Sequence, residues 1–167
     1  METATTVILN QEEIANKIRR IAYQIYETNT EEKEVIIAGI KKNGLKLAQR
    51  LKEKVEEISP IAVTLCEVEM DKRSPINTVK TSLTPDQYRD KSLVLVDDVL
   101  HSGTTLIYGI RHFLEVPLKQ FKTAVLVNRN HKKYPVKADF KGISLSTSLN
   151  MNVEVIFEKG KDRAILE

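Results

Sequence analysis

The chain reads as an α/β domain with a mostly parallel central sheet flanked by helices, and three observations predict it. Short apolar, strand-like runs alternate with stretches of helical periodicity along all 167 residues. The run Leu93, Val94, Leu95, Val96 is uninterrupted and rich in valine, as a central strand covered on both faces must be. Two such runs lead through tight turns straight into helical segments, the connection that parallel strands require.

Taken in order, Asn10-Gln11-Glu12-Glu13 is a capping box. It opens a helix whose Ile14, Ile18, Ile21, Ala22 and Ile25 share one face. Polar residues 29–34 end it. A strand is expected over 35–38, a tight loop over 39–43, and a helix from 44 to about 58 through Leu47, Ala48, Leu51 and Val55. Residues 61–70 read as a strand. Residues 71–91 lack a period, contain Pro75 and Pro85, and read as a long loop or hairpin. A strand over 93–96, a turn over 102–105 and a helix over 105–114 follow, the helix carrying Leu106, Ile110, Phe113 and Leu114 on one side. Strands over 122–127 and 153–157 enclose an irregular basic segment. No repeat or low-complexity linker interrupts the chain, and one domain over 1–167 is expected.

Composition narrows the class. Hydrophobic residues make up 41% and charged residues 29%, a globular balance, and the net charge is only +3. No apolar run approaches a membrane span, and the first residues lack a basic stretch followed by an apolar one. Cys66 is the single cysteine, so no internal disulfide forms and a cytoplasmic location is expected. Lysines and arginines gather around Lys41–Lys54 and again around Arg129, Lys132, Lys133, Lys137 and Lys141. Such clusters suit a phosphate-rich ligand, RNA or a solvated face equally.

The chemistry concentrates after the central strand. Asp97 and Asp98 end the apolar run, and Ser102-Gly103-Thr104-Thr105 opens the next helix. Unpaired N–H groups and the positive end of the helix dipole make that turn a phosphate site. Carboxylates at the carboxyl end of a parallel strand face the same crevice and accept hydrogen bonds from ribose hydroxyls. A ribose 5-phosphate satisfies both halves. The plainer alternative is that an aspartate caps the helix while Ser102 and Thr105 stabilise the turn.

The ten residues Val96-Asp97-Asp98-Val99-Leu100-His101-Ser102-Gly103-Thr104-Thr105 closely resemble the 5-phosphoribosyl 1-diphosphate (PRPP) motif of type I phosphoribosyltransferases. The resemblance runs over about 7–157 and includes Val7-Ile8-Leu9, Gly39-Ile40-Lys41 with Gly44, Leu47-Ala48-Gln49-Arg50-Leu51, Glu67-Val68-Glu69 and residues 124–148. Within the family it is most similar to the branch of bifunctional pyrimidine-operon attenuators and uracil phosphoribosyltransferases. It implies a Rossmann-like core with a small hood and a flexible loop, at about 71–91, that closes over PRPP.

The implied activity is phosphoribosyl transfer from PRPP to a nucleobase, uracil first and a purine as an alternative. Mg²⁺ is the implied cofactor, held mainly through PRPP with no protein metal site of its own. Asp97, Asp98 and His101 take the catalytic positions, and Ser102, Gly103, Thr104 and Thr105 the 5-phosphate. Lys41, Lys42, Asn43 and Gly44 correspond to a diphosphate loop, which in the family often holds a non-proline cis peptide. Arg73, with Lys72 and Lys80, is placed to reach the diphosphate from the closing loop. Arg129 is placed near the diphosphate or ribose, and Ala138, Asp139 and Phe140 at the base.

The chain departs from the family at several points. His101 stands where relatives carry an acid or a tyrosine, Thr104 replaces an arginine, and Asn128 and Asn130 replace an acid and a glycine. Asp71-Lys72-Arg73-Ser74 lies where a tyrosine-arginine-acid run is expected. The implied partners are PRPP, a nucleobase and a second copy of the chain in a homodimer or higher oligomer. A regulator that binds RNA and senses nucleotide with little catalysis is the rival reading.

Overall fold

The computed structural model describes residues 5–71, 73–74, 78–129, 131–146 and 151–167. The chain runs β1 (Thr6–Leu9), α1 (Gln11–Glu27), β2 (Glu34–Ile40), α2 (Asn43–Ile58) and β3 (Ala62–Met70). It continues through β4 (Val79–Thr81), α3 (Pro85–Tyr88), β5 (Ser92–Leu100) and α4 (Thr104–Phe113). The last elements are β6 (Gln120–Arg129), β7 (Phe140–Leu145), β8 (Val153–Ile156) and β9 (Arg163–Leu166).

Six strands form the central sheet in the order β4-β3-β2-β5-β6-β7, parallel except for β4, which lies antiparallel on β3. β1, β9 and β8 form a separate antiparallel sheet, the hood. The capping box at Asn10 is present in both directions, and all five of the predicted α1 face residues are buried. One hydrophobic cluster lies between the sheet, α1, α2 and the hood. The other lies on the opposite face, where Leu106 and Phe113 of α4 meet Tyr88 and Leu95.

That two-sided burial explains why β5 reads as an unbroken apolar run. It also sets the position of the ligand crevice. From β2 the chain crosses through α2 on one face to β3, and from β5 it crosses through α4 on the other face to β6. Adjacent strands whose connections leave in opposite directions open a crevice at their carboxyl ends. Here Gly39 of β2 is level with Val96 of β5.

Several strands extend past their expected limits. β5 continues through both aspartates, and β6 runs to Arg129. The stretch expected as loop or hairpin forms the hairpin strand β4 and the short helix α3. β7, an edge strand of the central sheet, and β9, the middle strand of the hood, escape prediction because they are short and carry charged or small residues among the apolar ones. The hood is pinned to the core by side chains. Arg50 of α2 forms a two-pronged ion pair with Asp162 and stacks over Phe157 at 4.6 Å. Within the core, Arg20 of α1 ties that helix to β7 of the central sheet by donating to the carbonyl oxygens of Lys141 and Gly142, each at 2.6 Å. No helix among the described residues is long and apolar enough to cross a membrane.

Candidate active site

The two aspartates at the end of β5 have different environments, because successive strand residues face opposite ways. Asp97 is 2% exposed. Its Oδ2 accepts from the Thr105 hydroxyl at 2.9 Å, and its Oδ1 accepts from the Asp98 N–H at 2.9 Å. Asp98 is half-buried and reaches the cleft. Its Oδ1 accepts from the Val99 N–H at 2.9 Å and its Oδ2 from the Asn43 amide at 3.2 Å.

Neither carboxylate caps α4. The residue at that position is Gly103, with φ 88° and no side-chain capping bond. Ser102 instead folds its hydroxyl to within 2.7 Å of the Thr104 hydroxyl and 3.3 Å of the Thr104 N–H. A segment following β6 lies against this turn. The N–H groups of Lys133 and Tyr134 donate to the Ser102 carbonyl at 2.8 and 3.1 Å. A Cβ on Gly103 would sit 2.5 Å from Val136 Cγ1, so the close packing as well as the left-handed φ demands glycine.

These residues enclose a cleft of about 570 Å³, with Asp97, Asp98, His101 and the 102–105 turn on one side. Arg73, Tyr108, Lys133 and Tyr134 line it as well. The turn itself carries no cationic side chain, so Arg73 and Lys133 supply the positive charge of this cleft. A second cavity of about 530 Å³ adjoins it and is lined by Lys41, Lys42, Asn43, Glu69, Met70 and Asp98. Asp98 is common to both.

The 41–44 loop has the expected form. The Lys41–Lys42 peptide is cis. The Lys41 N–H donates to the Val68 carbonyl at 2.9 Å, while its ammonium pairs with Glu67 at 3.3 Å. Asn43 bridges three parts of the molecule: besides Asp98, its amide donates to the Val155 carbonyl of the hood at 2.8 Å. Gly44 lets α2 approach β5, since a Cβ there would meet the Val96 carbonyl at 2.8 Å and Asp97 Oδ1 at 3.1 Å.

His101 follows β5 and lines the cleft beside the 102–105 turn. Its Nδ1 lies 2.9 Å from Nη1 of Arg129, a side chain only 1% exposed, whose Nη2 donates to the Met151 carbonyl at 2.6 Å. Partial desolvation of the ring, then the Arg129 charge and His131, push the imidazole below its ordinary pKa. Arg129 therefore lies behind His101 and under the hood, and it does not line either cavity.

The three residues expected at the base are not brought into the cleft. Asp139 accepts from the Thr123 N–H at 2.9 Å, while Ala138 and Phe140 are buried in the hydrophobic clusters on opposite faces of the sheet. Lys80, on the hairpin, lines neither cavity. Lys72 and Asn130 lie outside the described residues. Three contributors have little signature in the sequence: Asn43 as a bridge, the Lys133–Tyr134 wall, and Arg129 behind His101. The basic cluster around residues 129–141 is the one hint of the last two.

Residues 4–157 match the phosphoribosyl transferase domain family. The chain is 35% identical over 154 residues to Bifunctional protein PyrR of Bacillus pumilus, covering 85% of this chain and 84% of that protein. It is 33% identical over 159 residues to Bifunctional protein PyrR of Bacillus subtilis, covering 89% and 88%. Among solved structures, the hypoxanthine phosphoribosyltransferase of Trypanosoma cruzi has a TM-score of 0.74 at 17% identity, covering 90% of this chain and 85% of that one. A hypoxanthine-guanine phosphoribosyltransferase of Bacillus anthracis has a TM-score of 0.71 at 20% identity, covering 87% and 84%. At those identities the solved structures speak for the fold alone.

Proposed function

Because the chain belongs to the phosphoribosyl transferase domain family, we propose that it transfers the 5-phosphoribosyl group of PRPP to a nucleobase nitrogen, releasing diphosphate. Uracil, giving UMP, is the first candidate. One observation carries the reading: two adjoining cavities share Asp98, one based on the N-terminus of α4 and the other on the 41–44 loop. PRPP has the matching shape, with a phosphate at one end, a diphosphate at the other and two hydroxyls between.

The residues then divide the work. The N–H groups of the 102–105 turn and the Ser102 and Thr104 hydroxyls hold the 5-phosphate, with Lys133 and Arg73 adding charge, while the Thr105 hydroxyl stays on Asp97. Asp98 accepts the ribose hydroxyls and favours positive charge developing on the ring as the C1–O bond weakens. Asp97 positions it, through the Asp98 N–H and the first turn of α4. The backbone of Lys41, Lys42, Asn43 and Gly44 lies along the leaving diphosphate, and Lys42 offers a side chain that can add charge there. Holding the parts in register supplies most of the acceleration, since no covalent intermediate is required.

Mg²⁺ fits this donor set. Asp98 and Glu69 offer hard oxygen ligands at the second cavity, and no cluster of three or more potential ligands occurs among the described residues. The ion would be carried mainly by PRPP oxygens with these carboxylates nearby, and it supplies neutralisation of leaving-group charge. The test is diphosphate release from Mg-PRPP with uracil, cytosine, orotate, hypoxanthine, guanine and xanthine in turn. Base-dependent release supports the reading and names the base; PRPP binding with no release for any base overturns it.

A regulatory reading stands beside it, favoured by the word bifunctional in the relatives' name and by the lysines and arginines outside the cleft. In that reading the same cleft senses nucleotide while RNA binds elsewhere, on a homodimer, in the cytoplasm. RNA affinity that falls steeply with salt and responds to UMP or PRPP supports it, and unchanged affinity counts against it.

A further inference from the structure

A guanidinium has five N–H donors and no acceptor. The 2.9 Å contact between Arg129 Nη1 and His101 Nδ1 is therefore a hydrogen bond in only one sense: Arg129 donates and Nδ1 accepts. With Nδ1 occupied as acceptor, a neutral ring must carry its proton on Nε2. We infer that His101 is a fixed hydrogen-bond donor in the cleft, selecting ligands that present an acceptor atom such as a carbonyl oxygen, and that it takes no proton during turnover.

Several observations make this arrangement rigid. Arg129 cannot turn away freely, because it is buried and its Nη2 is bonded to the Met151 carbonyl just before β8. Protonating Nδ1 would break the bond and set two cations against each other. His131, on the segment after β6, adds charge of the same sign. Arg73, Lys133, Asp97 and Asp98 line the same cleft, so the ring faces charges of both signs there, but Arg129 alone is bonded to it among the described contacts. The lowered pKa agrees with a ring that stays neutral near pH 7.

The tautomer stands on the geometry of the chain alone, and the ligand part rests on the proposed phosphoribosyl chemistry. An acceptor-only carboxylate at this place would select the opposite pattern, a substrate edge with a donor. An amide reproduces the histidine: Asn Oδ1 can accept from Arg129 while its Nδ2 donates into the cleft.

The experiment has two arms on the full chain. In the first, ¹⁵N NMR of the histidine ring is recorded without ligand at pH 7. An unprotonated Nδ1 with a protonated Nε2 is expected for His101, and an Nδ1–H tautomer or an imidazolium overturns the inference. In the second, UMP and ribose 5-phosphate are titrated into wild type, His101→Asn and His101→Asp. UMP affinity should fall about tenfold in His101→Asp, the size of one lost hydrogen bond to a polar group. It should stay within about threefold in His101→Asn, and the ratio of UMP to ribose 5-phosphate affinity, in which the effect of the added charge on the phosphate cancels, should fall only in His101→Asp. Equal weakening of UMP in the two variants overturns the donor role. Should ribose 5-phosphate itself fail to bind wild type, the phosphoribosyl reading fails and takes the ligand part with it, while the NMR arm still decides the tautomer.

Discussion

Asp97 and Asp98 are neighbours in sequence with unlike tasks, and substitution should separate them. Asp98 reaches both cavities, so Asp98→Asn should lower kcat by about 10²-fold or more while leaving the fold intact, checked by steady-state kinetics beside circular dichroism. Asp97 is buried and accepts from Thr105 and from the Asp98 N–H. Asp97→Ala strands those donors and should cost about 1–3 kcal/mol of stability in urea unfolding, with activity falling as a consequence of displaced Asp98. The sequence shows the pair as one motif. Which carboxylate points inward depends on the pleat of β5, and no local pattern in the sequence states it. His101 is a sharper case: its type is visible at once, but its role is decided by Arg129, whose approach requires β5 and β6 to be adjacent.

At the scale of elements, the site is made of connections rather than of strands or helices. The turn into α4 was legible because strand, small residues and helical periodicity follow one another within a few positions. The 41–44 loop reads as an ordinary connection until it is seen beside Asp98. The wall carrying Lys133 was not legible, since it depends on the chain after β6 folding back to place two N–H groups on the Ser102 carbonyl. The expected base residues failed to reach the cleft for a related reason. Edge pairing of β7 to β6 draws Ala138 and Phe140 into the core and ties Asp139 to Thr123. Gly103→Ala tests the wall and the turn together. The left-handed φ and the contact with Val136 should weaken ribose 5-phosphate binding by about tenfold or more in calorimetry, with smaller losses in affinity for an unphosphorylated nucleoside.

For the whole molecule, the alternation of strands and helices was enough to place the parallel sheet, whereas the hood was not foreseen as a sheet. Its strands come from the two ends of the chain, and their pairing is a long-range event. The Arg50–Asp162 pair joins that hood to α2, with Asp162 buried. Asp162→Ala leaves a guanidinium without its partner and should cost about 2–4 kcal/mol in chemical unfolding, a loss large enough to detach the hood from Asn43. Cys66 has no exposed surface and burial raises its thiol pKa, so alkylation should be slow in the native state and should track global unfolding across a urea series. The proposed transfer takes place at C1 of the ribose when both cavities are filled. The most direct measurement follows the anomeric proton of PRPP by NMR in the presence of Mg²⁺ and uracil, for wild type and Asp98→Asn. Replacement of the PRPP signal by that of UMP is expected in wild type, and little or none in the variant. Persistence of the PRPP signal in wild type with uracil and with every other base, although PRPP is bound, would contradict it.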